Sequence, residues 1–129
     1  MANKIVLLDT SILIDYYRKT DKSNSVWIKL IDEGYGFATS VVTKFELCTG
    51  ATPSQVEFWD NILGAISVLP LSEDCIDTAI QLQHLLKRKR KQLDIADLLI
   101  AATAVTNKLP VATLNKKHFE RIEELTILV

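Results

Sequence analysis

Apolar and polar positions along this chain fall into short blocks with two different periods. Ile5 to Leu8 is an unbroken apolar run, short enough to be a strand and without a polar face, as expected of a strand buried on both sides. From Ser11 to about Lys19 the spacing turns helical, with Ile12, Tyr16 and Lys19 on one face. A second helix is predicted from Ser23 to Glu33, with Val26, Trp27, Leu30 and Ile31 as its stripe and Gly34 and Gly36 closing it. Gly36 to Ala38 follows as a strand, and Ser40 to Thr49 as a helix ended by Gly50. In "TPSQVEFWDNILGAI", Thr52 is placed to cap a helix, Pro53 suits its first position, and Gln55 completes a capping box. Ile66 to Leu69 reads as a strand stopped by Pro70. Ser72 caps the next helix, which carries Glu73 and Asp74 in its first turn and runs into a row of cations. Asp94 to about Asn107 is another helix, apolar on nearly all sides. Val111 to Thr113 is a strand, the Asn115 region a short helix, and Thr126 to Val129 a last strand.

Strands and helices interleave throughout. The pattern predicts an α/β domain with about five short strands in a mostly parallel central sheet between helix layers. No repeat or compositional break divides the 129 residues, so 1–129 is expected to be one domain. Ligands of such sheets sit beyond the carboxyl ends of the strands. Asp9, directly after the first strand, is at such an end.

Composition narrows the chemistry. The chain is 48% hydrophobic and 24% charged, enough for a core without metal or disulfide staples. Cys48 and Cys75 are too few and too far apart for a disulfide framework, and neither His84 nor His118 stands near them at zinc-ligand spacing. The N-terminus lacks the layout of a signal peptide, and no apolar stretch approaches the ~18 residues that span a bilayer; a cytoplasmic protein is expected. The net charge of −1 predicts no polyanion partner by itself. Its distribution does: Lys87, Arg88, Lys89, Arg90 and Lys91 are consecutive, leaving ten basic against sixteen acidic residues elsewhere. Such a run either contacts phosphates or is the solvated cationic end of a helix.

Several acids stand where an apolar residue would be easier. Asp9 could cap the following helix, but Thr10 and Ser11 could do so equally well. Glu46 shares a helix face with Val42, beside an apolar stripe of Val41, Phe45 and Cys48, and at the border of a buried face it would need a cation. Asp94 and Asp97 lie three apart before "LLIAATAV". Asp94 can be the cap and Asp97 a first-turn acid, though one acid would suffice. Asn115 follows the strand ending at Thr113 and can cap the short helix after it. Converging acids with few cations call for a metal ion, and all-oxygen ligands select Mg²⁺ or Mn²⁺. Such a site activates water and neutralises a phosphoryl group, the chemistry of phosphodiester hydrolysis. A phosphate-cradling glycine loop and a G-x-S-x-G elbow are both missing from the sequence, and Ser11 stands where an aspartyl phosphatase places its second acid.

These segments carry a family resemblance. "LLDTSILIDYY", "SVVTKFEL", "DIADLLIAATA" and "PVATLNKKHFERI" occur in the order and at about the spacing of a PIN-domain protein, most like the VapC-type toxins of toxin–antitoxin pairs. The resemblance covers essentially the whole chain. It implies a PIN-like (Rossmann-like) three-layer α/β/α fold and an Mg²⁺- or Mn²⁺-dependent endoribonuclease. It also implies an RNA substrate, a cognate VapB-like antitoxin that holds the enzyme inactive, and a homodimer. Asp9 and Asp97 fall on its principal metal ligands, Glu46 completes the site directly or through water, and Asp94 is auxiliary. His118 departs from the pattern by standing where many members place a fourth acid, which favours a one-metal resting site; Asn115 remains to orient water or phosphate. The basic run is expected to receive the RNA backbone. Tyr16, Tyr17, Trp27 and Ile28 are candidates for an antitoxin groove. A catalytically silent PIN-like interaction module and an RNA-processing nuclease without antitoxin are the alternatives.

Overall fold

The computed structural model describes residues 4–128. Met1 to Asn3 and Val129, the last residue of the expected final strand, lie outside them. The strands are β1 (Ile5–Leu8), β2 (Gly36–Ser40), β3 (Ser67–Leu69), β4 (Val111–Ala112) and β5 (Ile127–Leu128). The helices are α1 (Thr10–Arg18), α2 (Val26–Asp32), α3 (Val41–Thr49), α4 (Pro53–Gly64), α5 (Glu73–Lys89), α6 (Ile95–Thr106) and α7 (Lys116–Phe119).

The strands form one sheet in the order β3-β2-β1-β4-β5, with every pairing parallel. β1 is central, and the burial of Val6, Leu7 and Leu8 explains why it carries no polar position. Alternate side chains leave opposite faces. Leu7 joins Ala79, Leu82 and Leu86 of α5 and the Leu98 to Ala104 face of α6. Val6 and Leu8 join Ile12 and Leu13 of α1, Trp27 and Leu30 of α2, and Trp59 and Leu63 of α4. Two cores flank one sheet, and the layers are α/β/α. The chain steps outward from β1 through β2 to β3, then returns to place β4 on the other side of β1. The β1–β4 seam is therefore the point where strand order reverses, and a crevice opens beyond its carboxyl end.

The caps expected for α4, α5 and α6 form: Thr52 and Gln55 make a reciprocal capping box with Pro53 opening α4, and Ser72 and Asp94 cap α5 and α6; Ser40, expected inside α3, caps it instead. Gly50 follows α3 at φ −105°, so that helix stops without a left-handed turn.

Three expectations fail locally. The helix expected from Ser23 begins only at Val26, because Asp21 accepts from the Ser23 N–H and hydroxyl and closes a 3-10 turn over Lys22–Asn24; Ser25 then caps α2. Ile31 of its supposed stripe is exposed. The side of α3 that meets the core is Thr43 and Leu47, whereas Val41 is exposed and Phe45 is 69% exposed. The aromatic residues of the first two helices are largely occupied. Tyr16 stands edge-on to Trp27 at 5.0 Å between centroids and faces Phe58, while Tyr17 packs on Phe58 and Trp59. Trp27 is buried, Tyr16 and Ile28 are partly so, and Tyr17 is exposed.

Candidate active site

Asp9 leaves β1 with an extended backbone in the N-cap position of α1, yet its side chain makes no capping bond. It points into the seam instead. Its backbone N–H donates to the Ala112 carbonyl at 3.0 Å, which ties the end of β1 to the end of β4. The residue is only 1% exposed, and two hydroxyls donate to its Oδ2: Ser11 Oγ at 2.8 Å and Thr113 Oγ1 at 2.7 Å. Each hydroxyl is itself an acceptor from a backbone N–H, Ser11 from across the seam and Thr113 from within its own turn. The Leu114 N–H donates to Ser11 at 2.9 Å and the Asn115 N–H to Thr113 at 2.9 Å. A donor chain from backbone to hydroxyl to carboxylate strengthens along its length and fixes the rotamer of Asp9.

Thr10 does the same for Glu46. Its Oγ1 donates to Glu46 Oε1 at 2.6 Å and lies 3.1 Å from Thr43 Oγ1, which the Ser40 hydroxyl approaches at 3.3 Å. Glu46 is exposed, so the desolvation expected at a buried border does not apply; what sets it is Thr10, one residue from Asp9.

Asp94 caps α6, its Oδ1 accepting from the Asp97 N–H at 3.0 Å. This leaves Asp97 in the first turn with its side chain turned to the crevice. Partial burial pushes its carboxyl above the ordinary range, and the nearby charges of Asp94 and Asp9 push it further. His118 works the other way, with Nδ1 3.4 Å from Asp97 Oδ2. Asn115 precedes α7 without a side-chain capping bond, and both it and His118 are exposed on the rim.

Asp97 thus feels the charges of Asp9 and Asp94, Glu46 is tied through Thr10 to the residue beside Asp9, and Asn115 follows Thr113, which donates to Asp9. Among the described residues no three His, Cys, Asp or Glu side chains converge closely enough to hold a metal ion by themselves. The arrangement offers carboxylate oxygens from two residues, Asp9 and Asp97, and the charge of Asp9 is felt at Asp97.

The sequence matches the PIN domain family model over residues 6–125. It is 33% identical to Ribonuclease VapC1 of Methanocaldococcus jannaschii over 125 residues, 96% of this chain and 85% of the relative. The chain belongs to the PIN-domain family. A second relative, Ribonuclease VapC19 of Mycobacterium tuberculosis, is 28% identical over 92% of this chain and 95% of its own. The fold is similar to a chain in the crystal structure of VapBC2 from Rickettsia felis bound to a DNA fragment from their promoter. The TM-score is 0.84 at 25% identity, over 96% of this chain and 97% of that one.

The PIN-domain resemblance read in the sequence therefore holds, as does the three-layer fold. Sequence reasoning named the acids but not the hydroxyls of Ser11, Thr113 and Thr10 that orient them. The one available signal was that Asp9 is followed directly by the hydroxyl residues Thr10 and Ser11. The basic run is not one surface. α5 ends within it, Lys89 pairs with Glu123 at 2.7 Å, and Arg90 adopts a left-handed conformation at φ 56° that turns the chain away. Among the described residues no helix is long and apolar enough to cross a membrane.

Proposed function

We propose that this PIN domain, residues 1–129, is an endoribonuclease that hydrolyses RNA phosphodiester bonds and acts in the cytoplasm as the toxin of a toxin–antitoxin pair. The observation that carries the reading is the pairing of Asp9 with Asp97 at the β1–β4 switch point. One is oriented by two hydroxyls and the other is raised by partial burial and then by neighbouring negative charge. VapC-type PIN ribonucleases depend on a divalent cation. Mg²⁺ or Mn²⁺ is our assignment, because the side chains that converge offer oxygen donors.

The residues fit such an ion. Asp9 and Asp97 would hold it directly. Two protein carboxylates leave the remaining positions to water and phosphate oxygens, the habit of Mg²⁺. When bound, the ion supplies a more acidic water and neutralises charge on the phosphoryl group. Glu46, fixed by Thr10, is placed to accept a proton from water or to hold that water by hydrogen bonding. Asn115 presents a rim amide to water or a phosphate oxygen. Asp94 acts at one remove, by setting the first turn of α6 and adding negative charge beside Asp97.

The partner reading rests on relatives named VapC and on VapBC assemblies of similar fold. We take a VapB-like antitoxin as the inhibitor. A homodimer belongs to the same reading. The test is RNA cleavage by partner-free protein with Mg²⁺ or Mn²⁺, beside Asp97→Asn. Cleavage by the native chain alone, abolished by a chelator, is expected. A native chain that never cleaves RNA would favour the silent interaction module that His118 in place of a fourth acid makes conceivable.

A further inference from the structure

Three open concavities join end to end on the surface that carries the acids. The first is lined by Arg90, Lys91, Lys117 and Arg121, with Gln92 and Glu120. The second shares Lys117 and Glu120 with it and runs over His118 to Asn115. The third shares Leu114 and Asn115 with the second and continues past Ser11 to Arg18. His118 touches Asp97 and Ser11 touches Asp9, so the middle of this track passes the carboxylates. One end is strongly cationic.

That end is built, not accidental. Lys91 N–H donates to the Leu86 carbonyl at 3.0 Å and Arg90 N–H to the Lys87 carbonyl at 3.1 Å, closing α5 through the left-handed Arg90. The turn separates Lys87, Arg88 and Lys89, which stay on α5, from Arg90 and Lys91, which line the concavity. Arg121 is anchored from the far wall by donating Nη1 to the Gln92 carbonyl at 2.7 Å. Four cations face one carboxylate, Glu120, in this cleft.

We propose that single-stranded RNA lies along this track, its backbone clamped by Arg90, Lys91, Lys117 and Arg121 on one side of the carboxylates and led out past Arg18 on the other. Lys87 and Arg88 take no part. The proposal rests on the ribonuclease reading and adds to it the direction of approach and the residues that hold the substrate. Cations on either side of the carboxylates hold the phosphates there without a metal ion, offsetting the repulsion of the acids at the centre.

Two double variants of the full chain decide it, Arg90→Glu with Lys117→Glu and Lys87→Glu with Arg88→Glu. All four side chains are exposed, and none makes a side-chain hydrogen bond among the described residues. The two variants change net charge equally, so a long-range field affects them alike. Binding of a fluorescein-labelled mixed-sequence single-stranded RNA is measured by anisotropy in chelator across a salt series, with thermal melting as the check on folding. The Arg90/Lys117 variant is expected to bind at least about tenfold more weakly and to lose about 1.4 from its log–log salt slope, the yield of two phosphate contacts. The Lys87/Arg88 variant is expected to stay within about twofold of native. Equal losses in both, or native binding by the Arg90/Lys117 variant, overturns the path. If the native chain still cleaves RNA with a divalent cation in that case, the ribonuclease reading stands without it. A native chain that neither binds nor cleaves RNA overturns both.

Discussion

The two aspartates of the site are held in opposite ways. Asp9 is buried at the end of the central strand, and neutral hydroxyls locked to backbone N–H groups fix it. Asp97 is on the first turn of a helix, partly buried, and no hydroxyl orients its side chain: burial and two neighbouring acids oppose its ionisation and one imidazole favours it. The contrast separates position from charge. The strand end supplies a carboxylate that cannot move, and the helix start supplies one whose ionisation a cation would reward. A site made of two residues of the first kind would be rigid but would attract an ion less. One made of two of the second kind would attract it without fixing where it binds.

The largest effect should come from removing either carboxylate. Asp9→Asn and Asp97→Asn are each expected to lower RNA cleavage by roughly 10³-fold, measured as single-turnover rates with Mn²⁺. A tenfold loss at only one of them would break the symmetry of the pair. Next comes the hydroxyl shell. Thr113→Val keeps the shape, removes a donor to the buried Asp9, and leaves the Asn115 N–H without its acceptor. Cleavage should fall about 10–100-fold, as for partners that orient a metal ligand, and stability by about 1–3 kcal/mol in urea. No shell of this kind surrounds Asp97, so the comparison sharpens if no hydroxyl substitution elsewhere approaches that loss.

Thr10→Val should cost less, about tenfold in cleavage with little loss of stability, because Glu46 is exposed and only its direction is lost. The smallest effect is on the metal-free fold. Asp97's carboxyl is raised in the folded chain, so the folded state holds its proton more tightly than the unfolded chain does. The resulting stability is present in acid, is lost as pH rises from the ordinary carboxylate range through Asp97's own value, and is absent at neutral pH. Asp97→Asn should therefore raise the neutral melting temperature without metal by on the order of 1–3 °C, a small shift because solvent screens the site. The gain should vanish below the carboxylate range. A melting temperature unchanged at every pH would contradict the charge account of Asp97.

Much of this fold could be read from the chain. β1 announced itself because a strand buried on both faces has no polar position, and the α4 cap because Thr52, Pro53 and Gln55 each have one local reason to be there. Asp9 and Asp97 were readable as acids that local structure did not need. What depends on distant partners was hidden. Thr113 and Asp9 are 104 residues apart, and nothing local shows that one donates to the other. Periodicity put Val41 and Phe45 on a stripe but could not say that α3 meets the core with Thr43 and Leu47. Nor could it show the left-handed turn at Arg90, because arginine lacks the glycine signature that marks such turns.

The central claim is that Asp9 and Asp97 form one cation site, and calorimetric titration of Mn²⁺ into the native chain, Asp9→Asn and Asp97→Asn tests it most directly. The account predicts binding to the native chain and at least about tenfold weaker binding to each variant alone, since either carboxylate by itself is a poor site. Mn²⁺ binding that survives both substitutions unchanged would contradict it.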